Sequence, residues 1–235
     1  MSLFLISDLH LSFGVPNKTM SVFSGWENYE NRIEAGFKRL VKENDTVIIG
    51  GDISWALKLE ETYKDFEFLQ KLPGKKLLIK GNHDLWWSTA TKINAFFKEN
   101  NFDKFNIIYN NCVVVDDYAV CGTRGWFYDS SDVKILNREA ARLDRSLNEA
   151  LKTGKKPLVV LHYPPVYNDY VCHQIIDVLK KYNITTVYHG HIHGIGMNNS
   201  KKEYDGIKFK LISADCMSFV PFQILDWKMK LNVLI

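Results

Sequence analysis

Cysteine is scarce in this chain. Four occur among 235 residues, at positions 112, 121, 172 and 216, and none falls in a C-x-x-C pair. That spacing excludes a zinc ribbon and a thioredoxin-type redox motif. No apolar run approaches the roughly 20 residues that a membrane span needs. The opening MSLFLISDLH has neither a basic start nor a long apolar stretch. No signal peptide is therefore expected, and the expected location is the cytoplasm, away from any membrane. There the cysteines should stay reduced, although Cys112 and Cys121 would face each other across a two-residue turn at Asp116-Asp117. An excess of one charge is missing too. The net charge of +3 and the absence of like-charge runs do not favour nucleic acid as a partner. No repeat, linker or low-complexity segment divides the chain, so residues 1–235 read as a single domain.

What is present is a regular alternation. LFLIS at 3–7 reads as a buried strand, and Trp26, Tyr29, Ile33, Phe37, Leu40 and Val41 then recur at helical spacing. TVIIG at 46–50 is a second strand, followed by a helix through Tyr63, Phe66 and Leu69 that Pro73-Gly74 ends. KLLIK at 76–80 is a third strand, before a helix with Ile93, Phe96 and Phe97. This β-α order predicts parallel strands in a layered α/β fold. Residues 106–126 read instead as antiparallel hairpin material. A helix with an apolar stripe from Val133 to Leu151 follows, then strand 158–162, a helix over 171–182 and strand 186–190. Residues 207–235 alternate in two β runs around Pro221.

The histidines are unevenly spread. Three of the seven stand in YHGHIHG, as His189, His191 and His193. A row of imidazoles facing a core would be costly without partners, but neutral imidazole is the commonest metal ligand. Other polar residues also follow strands. Asp8 and His10 lie in SDLH, Asp52 in GGDIS, Asn82, His83 and Asp84 in GNHD, and His162 after LVVL. Sites in open α/β sheets are built at the C-terminal strand ends. Five strands therefore deliver Asp, Asn or His to one edge. Such a mixed nitrogen and oxygen set, without cysteine, suits two ions of the manganese, iron or zinc kind.

The ordered set D-x-H, G-D, G-N-H-D, H-x-x-P and G-H-x-H resembles the calcineurin-like metallophosphoesterase family, from Asp8 to His193. GDISWA and GNHDLWW are most similar to its small bacterial predicted phosphohydrolases. The resemblance implies a four-layer α/β/β/α sandwich with two divalent metal ions. It implies that Asp8, His10 and His193 hold one ion, that Asn82, His162 and His191 hold the other, and that Asp52 bridges them. His83 is similar to the family's catalytic histidine, and Asp84 would orient it. The implied activity is hydrolysis of a small phosphate ester, mono- or diester, by direct attack of a hydroxide bridging the ions. One departure is Ser54, where many members carry Asp or Asn.

Several residues keep two readings. Arg124 either grips a substrate phosphate with its planar donor fork or forms a surface salt bridge. Trp55, Trp86, Trp87 and Trp126 either wall a pocket or pack the core. His189 either packs in the core or supports a ligand. Two other functions compete: a nuclease of the same family, which would need a positive groove, and a non-catalytic protein-binding scaffold. The complete ligand set and His83 argue against the scaffold. Oligomeric state leaves no trace in the sequence.

Overall fold

The computed structural model of the chain describes residues 1–126 and 132–224. In the first half, β1 (Leu3–Ile6), α1 (Tyr29–Leu40), β2 (Thr46–Ile49), α2 (Tyr63–Lys71), β3 (Lys75–Leu78), α3 (Ala90–Glu99) and β4 (Phe105–Ile107) alternate. The hairpin β5 (Cys112–Val115) and β6 (Tyr118–Thr123) follows, then α4 (Val133–Lys152) and β7 (Lys156–Leu161). A short hairpin, β8 (Val166–Tyr167) and β9 (Tyr170–Val171), precedes α5 (His173–Lys181) and β10 (Thr186–His189). Last come β11 (Glu203–Tyr204), β12 (Ile207–Leu211) and β13 (Phe222–Ile224).

Two sheets form the centre. One runs β13-β1-β2-β3-β4, the other β11-β12-β10-β7-β6-β5. β1 to β4 are mutually parallel, as are β6, β7, β10 and β12, while antiparallel β13, β5 and β11 lie at edges. The side chains show how the layers stack. Phe4 and Ile6 join a core with Tyr29, Phe37, Phe66 and Phe97 from the helices, and Leu3 and Leu5 join a different core with Val120, Leu158 and Val160 of the second sheet. In β7, Val159 and Leu161 in turn pack with Leu143, Leu147 and Ile175 of α4 and α5. Alternate residues of a strand point to opposite faces, so each sheet is covered on both. That is why these strands read as unbroken apolar runs. The result is a mixed α/β architecture, two sheets face to face with helices outside each.

Two expectations need correction. Residues 106–126 are not all hairpin, because β4 pairs parallel with β3 and only β5–β6 turn back, with Cys112 opposite Cys121. Both cysteines are free. The first helix begins at Tyr29, after Asn28 in the left-handed conformation (φ 54°), so Trp26 precedes it. The second C-terminal β run is seen as β13, and its continuation past Ile224 lies outside the described residues.

Candidate metal centre

The two sheets converge where their parallel strands end. Ser7, just past β1, donates to the Ile212 carbonyl (2.9 Å) and accepts from the Ala214 amide (2.8 Å). Asp8, His10, Asp52 and Asn82 enter from the first sheet, and His162, His191 and His193 from the second. Four of them hold left-handed backbone: Asp8 (φ 60°), His10 (φ 47°), Asp52 (φ 50°) and His191 (φ 73°). For a residue with a Cβ this costs on the order of 1 kcal/mol each. Strain of this kind persists where the surroundings over-determine it, as at functional sites. Gly190 permits the approach, because a Cβ there would overlap Ser7 Oγ and Asp8 Oδ2.

The side chains form two clusters. Asp8, His10 and His193 bring their donor atoms within 4.8 Å of one another, as do Asp52, His162 and His191. Asn82 completes the second, its Oδ1 lying 2.6 Å from His162 Nε2 and 2.9 Å from His191 Nδ1. Asp52 stands between the clusters, with Oδ2 at 3.4 Å from His162 Nε2 and 3.7 Å from His10 Nε2. Its other oxygen accepts from the His83 amide at 2.7 Å.

The supports around these groups set their tautomers. His162 Nδ1 lies 3.1 Å from the Gly50 carbonyl and donates to it, so Nε2 is the nitrogen turned toward Asn82 and Asp52. His193 Nδ1 lies 2.9 Å from Asp215 Oδ1, and Asp215 Oδ2 accepts from the Gly194 amide. Asp8 accepts from the His191 amide and from Ser213 Oγ. An aromatic wall closes the first cluster. His10 stacks on Trp55 at 4.8 Å and meets Trp26 edge-on at 5.9 Å, and Trp26 also meets His193 at 5.5 Å. Asp215, Ser213 and Trp26 carry no motif, and the sequence alone did not single them out.

Burial and charge oppose each other here. Burial pushes Asp8 and Asp52 up, but the surrounding imidazoles outweigh it, holding Asp8 well below the carboxylate range and Asp52 at about 2. Burial lowers His10 to about 4 and His191 to about 3. For His162 and His193, burial is outweighed by carboxylates, Asp52 and Asp8 for one and Asp215 and Asp8 for the other. They rise to about 9 and about 10. Each cluster thus holds one charged carboxylate, one neutral and one protonated histidine. Among the described residues, His193 Nε2 and His10 Nδ1 are buried without hydrogen-bond partners, Asp8 Oδ1 standing 3.5 Å from the first. Unmatched polar atoms of this kind are costly, and an ion that takes the place of the proton on His193 Nε2 would give that nitrogen a partner. The donor set therefore fits divalent metal ions.

The remaining expected residues fall in different places. His83 is half-buried at the rim, its ring 4.3 Å from Trp55 and 5.6 Å from His10. Asp84 needs correction as its orienter. Its fully buried carboxylate accepts from the amides of Gly81, Ile53 and Ser54 and from the Trp86 indole, clamping the GNHD loop to the GDIS loop. Ser54 is buried, and its hydroxyl bonds Asp65, so a carboxylate reaches that place from α2. The ion pair of Arg124 seen among the described residues is with a buried carboxylate, not a surface one. Arg124 is 17% exposed, lies over Trp126 and stands 4.0 Å from buried Glu139. Trp86 and Trp87 belong to the core, whereas Trp55 faces the site and Trp126 covers Arg124. His189 is fully buried outside both clusters.

Among the described residues, no helix is long and apolar enough to cross a membrane. No curated protein matches the chain by sequence. Solved structures with the same fold include a protein of unknown function from Aquifex aeolicus, at 16% identity over 100% of this chain and 99% of that one, TM-score 0.52. A phosphopantetheinyl hydrolase from Mycobacterium tuberculosis aligns at 14% identity over 97% of each chain, TM-score 0.52. A Thermus thermophilus protein aligns at 13% identity over 95% of this chain and 97% of its own, TM-score 0.55. These likenesses concern the fold. The model of the calcineurin-like phosphoesterases matches residues 1–194, which carry both clusters and every strand that delivers them, and the chain belongs to that family.

Proposed function

We propose that this protein is a metal-dependent hydrolase of a small phosphate ester, with Asp8, His10 and His193 on one divalent ion and Asn82, His162 and His191 on the other. Asp52 is the bridging ligand. The observation that carries this reading is its carboxylate, which belongs to the cluster with His162 and His191 and also stands 3.7 Å from His10 of the other cluster. When bound, the two ions supply charge neutralisation for the phosphate and an activated water. Manganese, iron and zinc all suit the donors.

The chain's own residues do the rest. The His83 amide fixes one Asp52 oxygen, which turns the other toward both clusters. The His83 ring, at the rim and held by Trp55, is the group placed to give a proton to the leaving alkoxide. Asp84 supports this indirectly, by locking the backbone that presents Asn82 and His83. One neighbour of the same fold is named a phosphopantetheinyl hydrolase, which agrees with ester hydrolysis but carries no substrate over at 14% identity.

The test is turnover of p-nitrophenyl phosphate and bis-p-nitrophenyl phosphate by metal-stripped protein, before and after adding manganese. The expected result is no turnover when stripped and recovery with manganese, and the ratio of the two substrates separates monoesterase from diesterase. Activity persisting in verified metal-free protein would overturn the reading.

A further inference from the structure

A second group of charges lies beside the centre. Lys80, Arg124 and Arg142 line one hollow together with Ile79, Ile108 and Gly122. The hollow opens at the ends of β3, β4 and β6. Lys80 stands two residues before Asn82. The Arg124 carbonyl accepts from the Tyr163 amide (2.9 Å), and the Tyr163 ring lies 4.2 Å from His191 and 5.3 Å from His162. The hollow therefore adjoins the Asn82, His162 and His191 side of the centre.

Among the described residues its charges do not balance. Glu139 is fully buried, and accepts from Thr123 Oγ1 (2.9 Å) and Arg142 (2.6 Å). Arg138 and Arg124 approach the same Glu139 oxygen only to 3.9 and 4.0 Å. One carboxylate thus faces three guanidinium groups, and Lys80 is paired with no acid among the described residues. The Asp84 oxygens nearby are already committed to four N–H groups. Arg124 Nε is buried and has no hydrogen-bond partner among the described residues. Like charges gathered in a partly buried place, with a donor left unmatched, are costly for the protein. A bound oxyanion would offset both costs, and guanidinium presents the fork to hold it.

We infer that this hollow receives a second anionic group of the substrate, a phosphate or carboxylate carried beyond the ester that sits on the metal centre. The inference rests on the phosphoesterase reading and narrows it to doubly anionic substrates. The test compares metal-loaded wild-type protein with Lys80→Met and Arg142→Met. Phosphate release is followed from butyl phosphate, from the equally long butane-1,4-diol bisphosphate and 4-phosphonooxybutanoate, and from longer homologues. A second measurement is the melting temperature in sulfate against chloride at equal ionic strength.

In the wild type, kcat/KM for the best doubly anionic ester should exceed that of its uncharged counterpart by at least about tenfold, the size of one charge-assisted hydrogen bond. In both variants that ratio should fall toward one, and sulfate should stabilise them less than the wild type. If neither these monoesters nor bis-p-nitrophenyl phosphate is hydrolysed, the phosphoesterase reading fails, and the difference in sulfate stabilisation still decides for or against an oxyanion site. If butyl phosphate is hydrolysed and the doubly anionic esters gain nothing, the inference is overturned. Sulfate stabilisation lost in Lys80→Met, without preference for a doubly anionic ester, overturns it as well.

Discussion

The two halves of the centre hold similar ligands by different means. In the Asn82, His162 and His191 half, the carbonyl of Gly50 sets the tautomer of His162, and Asn82 sits against both rings. In the Asp8, His10 and His193 half, side chains do this work. Asp215 sets His193, Ser213 bonds Asp8, and Trp26 and Trp55 pack on His10. A backbone carbonyl cannot be removed by substitution, whereas a carboxylate can. The Asn82, His162 and His191 half should therefore tolerate changes to its surroundings, and the Asp8, His10 and His193 half should not.

Asp52 belongs to both halves, so its loss gives the largest effect. Asp52→Asn should lower occupancy of both ions and abolish most turnover, read by metal analysis of the purified variant. Two full equivalents of metal would refute the bridge. Next come the ligands of single halves. His193→Ala should empty mainly the Asp8 and His10 side, and His191→Ala mainly the Asn82 and His162 side. Titration with manganese should then show one tight site remaining in each variant.

Asp215 tests the contrast directly. Supports of this kind are typically worth about 10–100-fold in metal affinity or activity. Asp215→Ala should weaken one ion by about that factor and leave the other unchanged. Asp215→Asn keeps an acceptor for His193 Nδ1 but removes the charge, so it should fall between. Equal weakening of both ions would mean that the halves are not independently supported.

Proton release offers a smaller signal. His162 and His193 sit at about 9 and about 10, above the usual 6.5, so both are protonated at pH 7.5 in the metal-free protein. A metal ion displaces such protons, so affinity should rise with pH between about 6.5 and 9. Calorimetry in buffers of different ionisation enthalpy should count about one proton per ion. Asp215→Asn removes a carboxylate that holds the His193 proton, so release should shrink on that side alone.

The sequence showed the parts of the centre that depend on strand ends. An unbroken apolar run marks a strand covered on both faces, and a polar residue just after it marks the edge where sites form. Asp8, Asp52, Asn82, His162, His191 and His193 were all visible that way. Asp215 was not, because it lies in the segment between β12 and β13 and meets His193 only where the sheets converge. Trp26 was misplaced for a local reason. Its helical spacing with Tyr29 and Ile33 suits a helix, but the left-handed turn at Asn28 starts the helix later and aims the indole at His10. The resemblance assigned Asp84 to orient His83, whereas folding gives its oxygens four other donors.

The smallest effect is expected at His189, whose neighbours in sequence make it look like a ligand. The row of three histidines does not share a face. Residues Val187 and His189 of β10 point to the same side, and Val187 packs in the core shared with α4 and α5. After His189 the chain leaves the strand. Gly190 donates to the His162 carbonyl, and His191 takes left-handed backbone with its amide on Asp8. That turn carries His191 and His193 into the two clusters and leaves His189 behind. The His189 ring is fully buried, with Nδ1 3.1 Å from the Gly190 carbonyl and Nε2 unmatched. His189→Gln should retain both ions, because glutamine can still donate to that carbonyl. Its cost should appear as a modest loss of stability, about 1 kcal/mol, from changed packing and the bond to Gly190. Metal titration and chemical denaturation on the same sample separate the two effects. A variant as stable as the wild type but missing one ion would show that His189 is a ligand and that the division of the three histidines is wrong.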